Sequence, residues 1–360
     1  MLDKIVAPLL LWYDRYHRDL PWRSGKNSYH IWISEIMLQQ TRVEAVRPYF
    51  DRFISALPTV HDLAVCPEDR LLKLWEGLGY YNRARNLKKA AQQIEERYEG
   101  SLPADYEALL GLSGIGAYTA GAIASIAWDI PVPAVDGNVL RIWARITACE
   151  EDILKDSVRK RAQQELLYVM PEHRSGDLNQ AFMDLGSAIC LPKGQIDCAS
   201  CPLNFTCEAA KRGLTDILPV RKKPKERRIE ERTVLIIRDG ERIALHKRPN
   251  KGLLAGLYEL PGIDHYADEK EILSYVQEKH LFPLYIEPLE DAKHIFSHVE
   301  WRMKGYLIRV ASLEETSQSG WLFADTATVE EKYPLPSAFR AYTSFIHIRL
   351  GVSKDQTDMQ

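Results

Sequence analysis

Two carboxyl groups, a pair of glycines and four cysteines are the residues of this chain best placed to do chemistry. Glu35 stands in Trp32-Ile33-Ser34-Glu35-Ile36-Met37-Leu38-Gln39-Gln40-Thr41. Read as a helix, this segment puts Trp32, Ile36, Gln39 and Gln40 beside Glu35 on one face. Bulky apolar neighbours strip water from a carboxyl group and raise its pKa, so that it stays protonated near neutrality. A general acid has that requirement. A salt-bridged surface glutamate would show the same local pattern. Asp136, in Val135-Asp136-Gly137-Asn138-Val139, follows Pro131-Val132-Pro133 and precedes a helical run from Val139 to Thr147. By itself it reads as an N-cap or turn residue.

Gly114 and Gly116 lie in Leu112-Ser113-Gly114-Ile115-Gly116-Ala117-Tyr118-Thr119-Ala120, ahead of a helix running to Ala127. Glycine lets backbone amides approach a ligand closely, and the free N–H groups of a helix start suit a phosphate. A tight turn between packed helices uses the same glycines. Cys190, Cys198, Cys201 and Cys207 are separated by seven, two and five residues. In a reducing compartment this spacing argues for metal rather than disulfides, and four thiolates suit zinc or an iron–sulfur cluster equally. Cys66 and Cys149 are isolated and read as small core residues.

The elements that must hold these groups fall into two classes. Up to about residue 216 the pattern is helical. Leu87, Ala90, Ala91, Ile94 and Tyr98 form one apolar stripe, and Val158, Ala162, Leu166 and Val169 another. No strand-length alternation interrupts them, so residues 1–216 are expected to be an all-α domain with a cysteine loop at 190–207. Residues 217–232 hold two prolines and a basic run, and read as a linker. Beyond them, Thr233–Arg238 and Arg242–His246 are strand-like around Asp239-Gly240, a hairpin signal. Glu269–Lys279 reads as helix and Trp301–Val310 as strand. Residues 233–350 are thus expected to be an α+β domain, followed by a disordered tail at 351–360.

Composition excludes several classes. The 360 residues are 46% hydrophobic and 27% charged, the balance of a globular protein rather than a fibrous or disordered one. No apolar run reaches the roughly 20 residues of a membrane span. The run Ile5–Tyr13 precedes Asp14-Arg15 without a small-residue cleavage site, and reads as a first helix rather than a signal peptide. A cytoplasmic location and a monomer are therefore expected. The net charge of −3 carries no basic excess, so contact with nucleic acid would rest on short patches such as Arg83, Arg85, Lys88 and Lys89.

Six segments occur in a recognisable order: Leu20-Pro21-Trp22-Arg23, the Glu35 segment, Trp75-Glu76-Gly77-Leu78-Gly79-Tyr80-Tyr81, the glycine hairpin, the Asp136 loop and the cysteine cluster. Over essentially the whole chain they resemble the MutY-type adenine DNA glycosylases. These belong to the helix-hairpin-helix, endonuclease III superfamily and carry a Nudix-like C-terminal domain. The resemblance implies that Glu35 protonates adenine N7, and that Asp136 stabilises the resulting sugar cation at C1′ or links to it transiently. Tyr118 and Asn138 would orient this machinery. Trp22, Arg23 and Gln180 would line the pocket of the flipped adenine. Gln39, Gln40, Thr41, Leu78 and Tyr80 would fill the space it leaves and touch the opposite strand. Gly114 and Gly116 would grip the DNA backbone, and the four cysteines would bind a [4Fe–4S] cluster that takes no part in the chemistry.

Tyr118 separates the family from its bifunctional endonuclease III-like relatives, which carry there a Schiff-base lysine that nicks the strand. A glycosylase–lyase remains the alternative reading, but base removal alone is expected. Gly252-Leu253-Leu254-Ala255-Gly256-Leu257-Tyr258-Glu259-Leu260-Pro261-Gly262 resembles a Nudix fold without its glutamate-rich Mg²⁺ helix, for which Glu269-Lys270-Glu271 is no substitute. Phe296-Ser297-His298 resembles the loop with which the family recognises 8-oxoguanine. The expected partner is therefore double-stranded DNA with adenine opposite 8-oxoguanine or guanine, clamped between the two domains.

Overall fold

The 3.6-residue periodicity of the first 216 residues is realised as helices in the computed structural model, which describes residues 2–192, 194–222, 226–240, 242–313 and 320–351. After a 3-10 turn come α1 (Val6–Tyr16), α2 (Ser28–Leu38), α3 (Val43–Ala56), α4 (Val60–Val65), α5 (Glu68–Leu74) and α6 (Asn82–Tyr98). Then follow α7 (Tyr106–Leu110), α8 (Ala117–Trp128), α9 (Gly137–Ile146), α10 (Asp156–Val169), α11 (Ser175–Ala188) and α12 (Glu208–Arg212). The chain divides into two units: Met1–Val65 with Arg85–Lys223, and Cys66–Ala84 with Pro224–Gln360.

In the first unit α11 packs against α1, α8 and α9, and α2 lies on α8. Leu9, Leu140, Trp143, Leu166, Phe182 and Leu185 meet in a dry core between α1, α9, α10 and α11. The expected stripe of α6 is buried at Leu87, Ala90, Ala91 and Ile94. The hairpin between α7 and α8 turns through Gly114 at φ +76°, and Gly116 caps α8 in ordinary extended backbone. Among the described residues no helix is long and apolar enough to cross a membrane.

The second unit is built on a sheet of order β3-β2-β1-β6-β5, with β4 on β1 and β7 on β2. Its elements are β1 (Arg228–Asp239), β2 (Arg242–Lys247), β3 (Tyr258–Glu259), β4 (Gly262–Ile263) and α13 (Glu269–Glu278). They continue with β5 (Pro283–Ile295), β6 (Val299–Val310), β7 (Trp321–Asp325) and α14 (Thr326–Lys332). The β1–β6 pair is parallel and the others are antiparallel. Both faces of β1 are covered, which explains its unbroken apolar run. Val234 and Ile236 join Trp301, Met303 and Tyr342 on one face. Leu235 and Ile237 join Ile272, Val276 and Ile308 on the other.

Three details differ from the sequence expectation. Residues 228–232, expected in the linker, pair in parallel with Val299–Met303 as the start of β1. The linker's first residues are also packed: Leu218 is buried, and Val220 accepts a hydrogen bond from Ile153 N at 3.2 Å. The strand Pro283–Ile295 was not among the expected elements, and it contains Pro283 and Pro288. At a sheet edge a proline breaks no ladder on its open side. Residues 66–84 pack with the second unit, where the buried Glu76 accepts from Lys73 (3.0 Å), Leu335 N (2.7 Å) and Gly351 N (3.3 Å). The rest of the tail, 352–360, lies outside the described residues.

The hairpin yields a paired test. A methyl group on Gly114 would meet Asn86 Cβ at 2.6 Å in a left-handed backbone, whereas one on Gly116 meets nothing within 4 Å. Gly114→Ala should destabilise the chain by about 2 kcal/mol or more, and Gly116→Ala by no more than about 1 kcal/mol. Denaturant unfolding measures both, and equal losses would contradict this description of the turn.

Candidate active site

The α2 helix places Glu35 in the interior because nearly every side chain around it is apolar. Tyr29 and the whole run Ile31–Met37 are buried, and Glu35 itself is only 4% exposed. Asn27 starts the helix by accepting a hydrogen bond from His30 N at 3.1 Å. Burial pushes the Glu35 carboxyl from its ordinary 4.5 up to about 7, against the opposing pull of Tyr118 and Arg23. Tyr118, in the first turn of α8, donates its hydroxyl to Glu35 Oε2 at 2.6 Å. Burial also drives the Tyr118 phenol well above its usual range, so it remains a donor.

Asp136 is the N-cap of α9, as its local sequence suggests. Its Oδ1 accepts from Asn138 N (2.8 Å) and Val139 N (2.7 Å), and Oδ2 accepts from Asn138 Nδ2 (2.9 Å). Burial raises its pKa, while these three donors and the nearby Arg141 act the other way. Glu35 and Asp136 line one cavity of about 520 Å³. Trp22, Arg23, Thr41, Tyr118, Asn138 and Gln180 line it as well. A cavity of that size accommodates a small aromatic ligand.

An anchor of this cavity escaped sequence reading. Asp184, 1% exposed, receives both terminal nitrogens of Arg23 (2.8 and 3.0 Å) and Arg18 Nε (2.8 Å). The forked pair fixes the Arg23 guanidinium on the cavity wall. Asp184 follows Gln180 by one helical turn on α11, a spacing that could have signalled it.

Other expected residues lie elsewhere. Gln39 and Gln40 do not share the helical face of Glu35, because α2 ends at Leu38 and Gln40 turns at φ +61°. Gln39 Nε2 instead donates to Thr119 Oγ1 at 3.3 Å, and Gln40 is exposed. Leu78 and Tyr80 belong to the second unit. There the Tyr80 hydroxyl lies 2.9 Å from Ser297 Oγ. Arg83, expected in a phosphate-binding patch, holds this loop instead. It donates to Leu78 O (3.0 Å) and Gly79 O (3.2 Å) and lies over the Trp75 and Tyr80 rings. Its burial lowers its pKa to about 10.

Ser297 and His298 occupy the exposed tip of a hairpin closed by Phe296 N to Val299 O at 2.8 Å. The Phe296 ring packs edge-on against Trp301 at 4.9 Å. The backbone is thus fixed while the two polar side chains face outward.

Cys190, Cys198, Cys201 and Cys207 all line a small apolar cavity of about 30 Å³. Arg145 Nη1 donates to Cys190 Sγ at 3.1 Å and to Leu191 O at 2.9 Å. Burial pushes the Cys201 thiol up to about 12 and raises Cys198 and Cys207 too. Among the described residues no three His, Cys, Asp or Glu side chains gather closely enough to hold an ion. Four sulfurs facing one space nevertheless provide the donor set of a four-thiolate centre.

Comparison with known proteins agrees with this architecture. Residues 33–166 match the model of the HhH-GPD superfamily of base excision DNA repair proteins, and residues 233–344 match the NUDIX domain. An adenine DNA glycosylase of Buchnera aphidicola is 35% identical, covering 81% of this chain and 82% of its own. A mouse adenine DNA glycosylase is 33% identical, covering 83% of this chain and 69% of its own. A solved endonuclease III–DNA covalent intermediate superposes with a TM-score of 0.51 at 25% identity, covering 59% of this chain and 97% of its own. With a helical unit of this superfamily joined to a Nudix-like sheet, the chain belongs to the adenine DNA glycosylases, a family of DNA N-glycosylases.

Proposed function

We propose that the chain excises adenine from duplex DNA in base excision repair, acting on adenine opposite 8-oxoguanine or guanine and leaving the strand uncut. The observation that carries this reading is a protonatable Glu35, with a pKa of about 7, in the same cavity as the capped Asp136. With Tyr118 bonded to Oε2, the Glu35 proton sits on Oε1, free to pass to adenine N7. Cleavage of the C1′–N9 bond then sends its electron pair into the protonated base and leaves positive charge on the sugar. Asp136, held by three donors and at the positive end of α9, faces that charge as an anion. Water then adds at C1′ and passes a proton to the Glu35 carboxylate, which restores the acid. Tyr118 offers no amine for a Schiff base, and no lysine is among the residues lining the cavity.

In this reading Trp22, Arg23 and Gln180 hold the flipped base, with Asp184 fixing Arg23. The Gly114–Gly116 hairpin grips phosphates through the start of α8. Thr41, Gln39, Gln40, Leu78 and Tyr80 contact the opened duplex. Phe296 sets the turn from which Ser297 and His298 hydrogen-bond 8-oxoguanine, with Tyr80 orienting Ser297. Cys190, Cys198, Cys201 and Cys207 would hold a [4Fe–4S] cluster, which would pin the loop 190–207 and supply no step of base removal.

Four outcomes test the reading. Single-turnover release of adenine from an A:8-oxoguanine duplex should be flat just below pH 7 and decline in more acid buffer, where Asp136 takes up a proton. It should fall about tenfold per unit above pH 7, because the active form of Glu35 is the protonated one and is lost as pH rises through its pKa. Glu35→Gln should cost about a hundredfold or more in that rate while duplex affinity is retained; near-normal turnover would remove Glu35 from the acid role. Ser297→Ala combined with His298→Ala should shrink the rate preference for 8-oxoguanine over guanine by about tenfold, and an unchanged ratio would exclude the turn from recognition. Protein purified without air should carry iron and sulfide with broad visible absorbance. Cys198→Ser should lose it, whereas a colourless, zinc-loaded wild type would refute the cluster.

A further inference from the structure

The first residues of the linker run along the helix that Asp136 caps. Leu218 O accepts from Arg145 Nε at 2.9 Å, near the C-terminal end of α9, and Val220 O accepts from Ile153 N at 3.2 Å. Held at these two points, the backbone brings Arg221 to the opposite end of α9. A methyl group added to Gly137 would meet Arg221 Nη2 at 3.7 Å and, apart from its chain neighbours and its own helix, nothing else within 4 Å. Gly137 follows Asp136 directly, and both Gly137 and Arg221 are exposed. The guanidinium therefore stands one residue from a carboxylate that lines the adenine cavity.

No group of the unit answers this charge. Among the described residues Arg221 makes no ion pair and no side-chain hydrogen bond. It is close enough to Arg141 for the two cations to repel, and Arg141 is held in place by Cys190 O at 2.9 Å and Gly186 O at 2.7 Å. Arg141 also has the attraction of Asp136, whereas Arg221 has no carboxylate of its own. An anion arriving over Gly137 would relieve that surplus.

We propose that Arg221 is a positioning residue for base excision: it takes a phosphodiester beside the flipped nucleotide and so sets C1′ against Asp136. The inference rests on the glycosylase reading of the cavity. In a nucleotide each flanking phosphate is one sugar ring away from C1′. A sugar whose C1′ faces Asp136 thus carries a phosphate past Gly137, where the absent side chain leaves room beside the guanidinium. A planar guanidinium can hold two phosphate oxygens together, which fixes orientation as well as distance. Arg221 touches no reacting atom in this scheme and acts only through the placement of the sugar.

Such a role demands coupling between one side chain and one phosphate. Adenine release is followed in single turnovers at saturating enzyme, on an unmodified A:8-oxoguanine duplex and on two others. In these the phosphate 5′ or 3′ of the adenosine is replaced by an uncharged methylphosphonate. For the wild type, one of the two replacements should slow release at least about tenfold. Arg221→Ala should be slowed by a similar factor on the unmodified duplex, and that same methylphosphonate should then cost it no more than about twofold. Its slope of log affinity against log salt should also be shallower by about 0.9, while Lys222→Ala should keep the wild-type coupling. Unimpaired release by Arg221→Ala would overturn the assignment. So would methylphosphonate penalties equal in wild type and Arg221→Ala, or a Lys222→Ala that loses the coupling as well. A wild type that releases no adenine from the unmodified duplex would instead remove the glycosylase reading, and this assignment with it.

Discussion

A carboxyl group kept almost free of water is the constraint around which the first unit is arranged. The rise of Glu35 from 4.5 to about 7 corresponds to about 3 kcal/mol of preference for the protonated form. An apolar helix interior alone would impose such a shift, but it would leave a group unable to reach a substrate. The observed arrangement avoids this by putting Glu35 at the inner wall of an open cavity and sealing its other sides with Trp32, Ile36 and their neighbours. The desolvation is paid for by the packing of α2, so the acid's readiness to give up a proton is a property of the fold.

Two acids near one another pose the problem of which holds the proton, and the hydrogen bonds decide it. Among the described residues the Glu35 carboxyl accepts one hydrogen bond, from Tyr118, whereas Asp136 accepts three. Each donor to a carboxylate favours its ionised form. The start of α9 adds a favourable field of about 0.3–1 kcal/mol for an anion at its cap. Burial raises both groups, and Glu35, with the fewer donors, keeps the proton. In the proposed reaction Asp136 would answer a developing positive charge, and Asn138 donates to it twice, through its backbone and its side-chain amide.

That division explains what could be read in the sequence and what could not. Asp136 looked locally like a helix cap, and it is one; the capping hydrogen bonds also favour the ionised form that the proposed chemistry calls for. Glu35 was legible from its apolar neighbours, and the cavity brings it together with Asp136, Tyr118, Trp22, Arg23 and Gln180. Helix ends were harder. Nothing in Leu38-Gln39-Gln40 announces a stop, yet Gln40 sits at positive φ, and a face drawn across that point fails. Arg83 was misread because charge alone does not reveal whether an arginine meets phosphate or lies over Trp75 and Tyr80. Residues 66–84 join the second unit through bonds such as Glu76 to Leu335 N, a separation of some 260 residues to which local pattern is blind.

In the second unit, burial on both sides limits where function can reside. With β1 enclosed by apolar residues on each face, the polar groups of the sheet lie at its turns and at the cavity beside α13. Trp301 lies beneath both. It receives Phe296 from the turn, Arg232 and Arg248 from the cavity, and donates its indole N–H to Glu230 at 2.8 Å. A fully buried indole with so many neighbours cannot shift without disturbing each of them, since packed interiors transmit displacement rather than absorb it. The charge pattern follows the same logic. Beside α13 the carboxylates are engaged with cationic side chains, Glu259 with His246 and Arg248, and Asp264 and Glu230 with Arg232.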